Sequence, residues 1–317
     1  MSRLSAVYLV SLFIFCASLL LAQSGGGKPD PQKIARRGAE LRQEKLPPEW
    51  EKMKPLFIPK KAAVAGEWLA TQPEPGQGLA QFQASWRQQV RDRSVGFVDV
   101  VLIGDFTPSQ KTALAAACRH IEACFGVKTR QAASLPDHEV KDAGRRKNPY
   151  QGQLQYHTDW LHTQLLKPRL KKDSICLLGF TATDLFPKPE WNFVFGIAYP
   201  ADRIGLWSIA RNGKADGTPE ESRVFLRRTI STATHETGHL FGMAHCLAYE
   251  CLMNGANHRA ESDSKALVFC PCCSAKMDWL WKLKAAESLQ AQLKICQEIG
   301  LAEESAILQA ELKLLNQ

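Results

Sequence analysis

His235-Glu236-Thr237-Gly238-His239-Leu240-Phe241-Gly242-Met243-Ala244-His245 is the stretch on which the reading of this chain turns. It closes a segment, Glu220 to Phe241, that reads as the longest helix of the core. Two histidines four apart on a helix lie one above the other on the same face, so their imidazoles can bind one metal ion together. Glu236 falls one step round, beside such an ion rather than on it, which is the place for a general base acting on the metal's water. Gly242 permits a sharp turn that other residues resist, and the turn brings His245 round as a third ligand. Three neutral nitrogens leave the fourth tetrahedral position to water, whose pKa zinc lowers to about 7. A helix can contain His-Glu-x-x-His by chance. The long form, with a glycine and a third histidine at the required offsets, is far more specific.

The motif runs directly into Cys246-x4-Cys251-x-Met253, and then Cys270-Pro-Cys272-Cys273. Two cysteine pairs separated by a loop suit a tetrahedral zinc held by four thiolates. Cys246, Cys251, Cys270 and Cys273 are the expected ligands, with Cys272 as the alternative to Cys273. The competing reading is a pair of disulfides, as in an exported chain. Cys118, Cys124, Cys176 and Cys296 read as buried apolar packers unless export oxidises a pair of them. Met253 taken alone would be a core methionine.

The extended histidine motif, with Cys246 immediately after the third histidine and the cysteine pairs around Met253, resembles the archaemetzincin family of metzincin peptidases. Gly66-Glu67-Trp68-Leu69-Ala70 with Pro73-Glu74-Pro75-Gly76 is similar to the N-terminal region of longer members, and Asn192 to Ala198 to the segment before the motif helix. The resemblance runs from about Gly66 to Cys273. It implies a catalytic zinc on His235, His239 and His245, Glu236 as base, a second zinc on four cysteines, and a methionine turn at Met253 beneath the first metal. It also implies that the strand before the motif helix lines the cleft. Phe193, Val194, Phe195 and Gly196 are then the residues expected to pair with an extended substrate backbone.

Outward from the motif, the chain divides into four parts. Residues 1–22, a basic start followed by an apolar run and Ala22, read as a secretory signal peptide, with an uncleaved anchor as the alternative. Residues 23–94 read as an N-terminal extension rich in proline and charge, or a removable pro-segment. It contains a helix over Lys33 to Leu46 and a turn-rich stretch from Gly66 to Gly78. Residues 95–273 read as the catalytic domain. Strands are expected at Phe97–Ile103, Val127–Arg130, Ser174–Thr181, Asn192–Tyr199 and Ile204–Ala210. Helices are expected at Pro108–Phe125 and Leu154–Leu166. That order predicts a three-layer α/β/α fold with a mostly parallel twisted sheet, and the resemblance implies that it is metzincin-like. Residues 274–317 read as a C-terminal helical hairpin interrupted at Gly300.

The 317 residues carry a formal charge of +8, spread in small basic groups rather than one stripe, so no nucleic-acid partner is expected. The remaining histidines, including His157 and His162 on the expected second helix, read as surface or capped. The expectation is therefore a secreted or periplasmic, monomeric zinc metallopeptidase. It would carry two Zn2+ per chain, act on peptide or protein substrates, and not be stably inserted in a membrane once the leader is cleaved. The rival is a zinc-stabilised binding protein with little turnover. Aminopeptidase action would need an acidic anchor, for which Asp184 and Asp202 are the nearest candidates.

Overall fold

The computed structural model describes residues 30–72, 74–86 and 96–317. The expected leader and the expected boundary at residue 94 lie outside the described residues. Asp30 caps the first helix, α1 (Pro31–Gln43), by accepting from the Gln32 and Lys33 amides. Three short helices follow: α2 (Pro48–Glu51), α3 (Trp68–Thr71) and α4 (Leu79–Ser85).

The central sheet begins with β1 (Phe97–Ile103), an apolar run buried along nearly its whole length. Helix α5 (Pro108–Phe125) is capped by Thr107 and ended by Gly126 in the left-handed conformation. Then come β2 (Lys128–Leu135), β3 (Arg145–Lys147) and β4 (Leu154–His157). A turn of helix, α6 (Thr158–Trp160), runs on as π-helix through Leu161–Leu166. The remaining strands are β5 (Ser174–Thr181), β6 (Asp184–Phe186), β7 (Gly196–Tyr199) and β8 (Ile204–Ser208). Five of them form one sheet in the order β2-β1-β5-β8-β7, parallel throughout except for β7 against β8.

Alternation along the strands divides the core in two. Val98, Val100, Leu178 and Phe180 face α5 and the long helix α7 (Pro219–Leu240). Val101, Ile103, Leu177 and Leu206 face Leu161, Leu165 and Leu166 on the other side. Helices thus cover both faces of the sheet, which gives the expected three layers. Helices α8 (Arg259–Asp263), α9 (Pro271–Trp281), α10 (Ala285–Glu298) and α11 (Ala302–Leu315) complete the chain, the last two packed against each other as a hairpin. Leu41, Trp50, Trp68 and Phe82 of the N-terminal part and Leu289 and Leu308 of the hairpin all belong to the core cluster that holds α5 and α7.

Strand β2 runs on to Leu135, past the expected end at Arg130, and two further expected elements differ from the sequence reading. Leu154–His157 is a strand, because β3 and β6 pair with it and the buried Gln155 amide donates to Asp184 and the Asn192 carbonyl. His157 and His162 therefore share no helix. The strand expected over Asn192–Tyr199 is regular only from Gly196. Before it, the chain is bent by Arg146, Asn148 and Gln155, whose side chains donate to the Asn192 carbonyl.

Candidate active site

Helix α7 delivers His235, Glu236 and His239 in its last turns, all buried. Just past its end, Gly242 has φ +80, and the Met243 amide donates back to the Gly238 carbonyl at 3.0 Å. The chain so turned carries His245 to the other two histidines. The ring centroids of His235 and His239 lie 4.6 Å apart, those of His239 and His245 4.8 Å. One ligand atom from each of the three lies within 4.8 Å of the others.

The hydrogen bonds of these rings decide what they can hold. His235 Nδ1 lies 2.8 Å from the Leu252 carbonyl and His239 Nδ1 2.7 Å from the Met243 carbonyl. A carbonyl only accepts, so each Nδ1 bears the proton and each Nε2 carries a lone pair. Yet the two Nε2 atoms face each other at 3.0 Å. Two lone pairs at that distance repel, unless a cation lies between them. His245 Nε2 is buried with no hydrogen-bond partner among the described residues. Burial, with His245 nearby, pushes the His239 ring down to about 3, and burial puts His235 well below its ordinary value. Neutral imidazoles are the form that binds metal, so these residues fit a zinc ion.

Glu236 is fully buried next to His235 on the helix. Met253 lies beneath: a Cβ added at Gly238 would sit 2.7 Å from the Met253 sulfur, so only glycine leaves room for that side chain under the helix. Sequence reasoning missed Lys265, buried with its Nζ donating to the Asn254 carbonyl beside Met253. Burial pushes it down to about 8, with the Glu261 carboxylate opposing.

Four sulfurs converge behind this floor. Cys246, Cys251, Cys270 and Cys273 each bring a sulfur within 4.8 Å of the others, and Cys246 Sγ lies 3.6 Å from Cys270 Sγ. A disulfide needs about 2.05 Å. Sulfurs on a tetrahedral zinc at about 2.3 Å would stand about 3.8 Å apart. All nine described cysteines are thiols. Hydrogen bonds from the Cys251, Cys270 and Cys273 thiols hold Cys246 well below its ordinary value, so one member of the set is already favoured as thiolate. Cys270 caps α9 and Pro271 opens it, which places Cys273 one turn in, toward the cluster. Cys272 Sγ donates to the Leu41 carbonyl at 3.7 Å and lies outside the set of four.

The other polar group on the histidines comes from far upstream. Glu74 Oε1 lies 2.7 Å from His245 Nδ1, and the Trp68 indole N–H donates to the same oxygen at 2.7 Å. The sequence signal was slight: one acid between two prolines.

The remaining expected residues are placed as follows. The sheet order puts β7 at an edge, but the side chains of Phe193, Val194 and Phe195 are buried. The Val194 amide donates to Leu185 and the Phe195 carbonyl accepts from Ser208, while the Arg211 and Arg259 guanidinium groups stack over the Phe193 and Phe195 rings. Asp184 pairs with Arg211, and Asp202 with Lys167 and His162, so both acids already have cationic partners. Tyr249 is a buried core ring, edge-on to Phe57. His258 caps α8. His120, read as surface or capped, is instead buried against Thr234 of α7.

The model of peptidase family M54 matches residues 130–279. Archaemetzincin-2 of Mus musculus is 28% identical over 286 residues, covering 79% of this chain and 79% of its own length. Archaemetzincin-2 of Homo sapiens is 29% identical over 252 residues, covering 70% and 69%. Among solved structures, the archaemetzincin of Methanopyrus kandleri is 28% identical, covering 60% of this chain and 97% of that one at a TM-score of 0.46.

Proposed function

This chain belongs to the archaemetzincin family and is a zinc metallopeptidase, and from that premise we propose that it hydrolyses peptide bonds with Glu236 as the general base, beside a zinc held by His235, His239 and His245. The observation that carries this reading is the 3.0 Å approach of two Nε2 atoms of rings whose Nδ1 protons are committed to carbonyls, an approach that a cation between them makes favourable.

The zinc, when bound, would supply Lewis acidity toward the substrate carbonyl and toward a water. The rest falls to the chain. The Leu252 and Met243 carbonyls fix the tautomers of His235 and His239. Met253 supports α7 from below at Gly238. Glu236, one position from His235, takes the proton of the attacking water and passes it to the leaving amine. A second zinc on Cys246, Cys251, Cys270 and Cys273 would tie the loop after the third histidine to α9.

Glu236→Gln keeps the size of the side chain and removes the base. Cleavage of a mixed peptide library, read by mass spectrometry, should fall by about 10²–10⁴-fold while zinc content stays the same. Undiminished cleavage would remove Glu236 from the role. A wild-type chain that holds zinc in the histidine site but cleaves nothing would favour the binding-protein alternative.

A further inference from the structure

The loop that brings His245 to the other histidines is held from outside by the segment Trp68–Trp86. Gln77 donates through Nε2 to the Gly242 carbonyl at 3.0 Å and accepts from the Ala244 amide at 3.1 Å. Trp86 donates through its indole to the Phe241 carbonyl at 3.0 Å, and a Cβ at Gly242 would collide with that same indole nitrogen. Lys276 of α9 fastens Gln77 in turn, donating to its backbone carbonyl at 2.6 Å. At the other end, the Trp68 amide donates to both oxygens of the buried Glu261, and the Trp68 ring stands edge-on to His245 with centroids 5.0 Å apart. Glu74 sits between these anchors with its carboxylate on His245 Nδ1.

Among the three histidines the partners are unequal. His235 and His239 donate to neutral carbonyls supplied by the motif's own surroundings. Among the described residues, His245 donates to a carboxylate, and that carboxylate belongs to the N-terminal segment. A carboxylate on the far nitrogen of a ligating imidazole fixes its tautomer and orientation and makes the near nitrogen a better donor to metal.

We propose that Glu74 is a positioning residue for His245, and that the segment Trp68–Trp86 is therefore a working part of the metal site rather than a removable cover. This rests on the zinc-site reading above and adds to it a residue outside the histidine motif. Trp68 serves the same end at one remove, because its indole N–H occupies Glu74 Oε1 and so limits the carboxylate to one orientation toward the ring.

The full chain supplies the test, with Glu74→Gln and Glu74→Ala measured beside wild type and a His235→Ala control that isolates the histidine site. Zinc affinity is read by chelator competition, and the geometry of the site by the visible absorption of the Co2+-substituted protein. Glutamine keeps an acceptor and loses the charge; alanine loses both. Affinity at the histidine site should therefore fall in the order wild type, Gln, Ala, with the Ala variant about 10–100-fold weaker and its Co2+ spectrum altered. The four-cysteine site and the melting temperature of the metal-free chain should be unchanged in the Gln variant, which sets a role at the metal apart from a role in folding. Wild-type affinity and an unaltered Co2+ spectrum in both variants would overturn the proposal and leave the zinc reading standing. A wild-type chain indistinguishable from the His235→Ala control would overturn both.

Discussion

Gly238→Ala sets two effects against each other at the floor of the site. Alanine in a helix interior is favoured over glycine by about 1 kcal/mol. At this position, however, the new methyl would stand 2.7 Å from Met253 Sδ, 3.1 Å from Met253 Cε and 3.4 Å from Met243 Sδ. A methionine is flexible, but Met253 is fully buried, and overpacking a filled site costs about 1–3 kcal/mol. Overpacking should prevail, for a net loss of up to about 2 kcal/mol. The effect on metal should be clearer than the effect on stability. Where Met253 yields through its own backbone, it carries with it the neighbouring Leu252 carbonyl that orients His235. Displacing it loosens one ligand, so zinc affinity should drop even if stability changes little. The assay is a double-mutant cycle with Met253→Ala, which opens room for the methyl: denaturant unfolding and zinc competition on wild type, both single variants and the pair. The pair should be less impaired than the sum of the singles, by about 1 kcal/mol in stability. A Gly238→Ala protein that gains the full helical preference and binds zinc as wild type would refute the claim that Met253 fixes the site from below.

Two further outcomes follow from other places in the structure. If the four-cysteine set holds a zinc as proposed, Cys273→Ser should lower the zinc content by one ion per chain, while Cys272→Ser should leave it unchanged, as read by elemental analysis; equal losses would mean that Cys272 shares the site. Burial alone pushes the Glu311 carboxyl up to about 8, well above the roughly 4.3 of an unfolded chain. Between those values the folded chain keeps a proton that the unfolded chain sheds, so this group's contribution to stability is full below about pH 4.3 and is lost as pH rises to about 8. Glu311→Gln should therefore raise the melting temperature more at pH 8 than at pH 5, and parallel curves would show that Glu311 is not destabilising.

What could be read from the sequence follows how local the cause is. The buried strands β1 and β5 and the helices α5 and α7 are written in runs and periods of apolar residues, so their ends fall within a residue or two. The histidine and cysteine sets are legible because metal chemistry fixes their spacing. Leu154–His157 misleads because four residues cannot distinguish strand from helix; β3 and β6 make it a strand. The early end of β7 comes from three side chains in β3, the following turn and β4 that all seek one carbonyl. Glu74 is the extreme case: its partner lies 171 residues away, and the acid between two prolines, though part of the stretch similar to longer family members, does not point to a histidine.

The order of the motif also explains why the two metal-ligand sets lie so close. His245 and Cys246 are adjacent, so any slack in the cysteine cluster would be felt at the third histidine. The loop between the sets removes that slack with its own backbone. The Cys246 amide donates to the Met253 carbonyl at 2.8 Å, the Asn254 side chain donates to the Cys246 and Tyr249 carbonyls at 2.9 Å, and its oxygen accepts from the Cys251 amide at 2.8 Å. Leu252, between Cys251 and Met253, supplies the carbonyl that orients His235. The loop therefore reaches two of the three histidines, His245 through the peptide bond and His235 through a hydrogen bond. His239 is served instead by Met243 of the turn at Gly242, which Gln77 and Trp86 brace from outside. The cysteine loop and the N-terminal segment thus between them serve all three rings, and a helix carrying the two-histidine motif without them would lack both the third ligand and the carbonyl that orients the first.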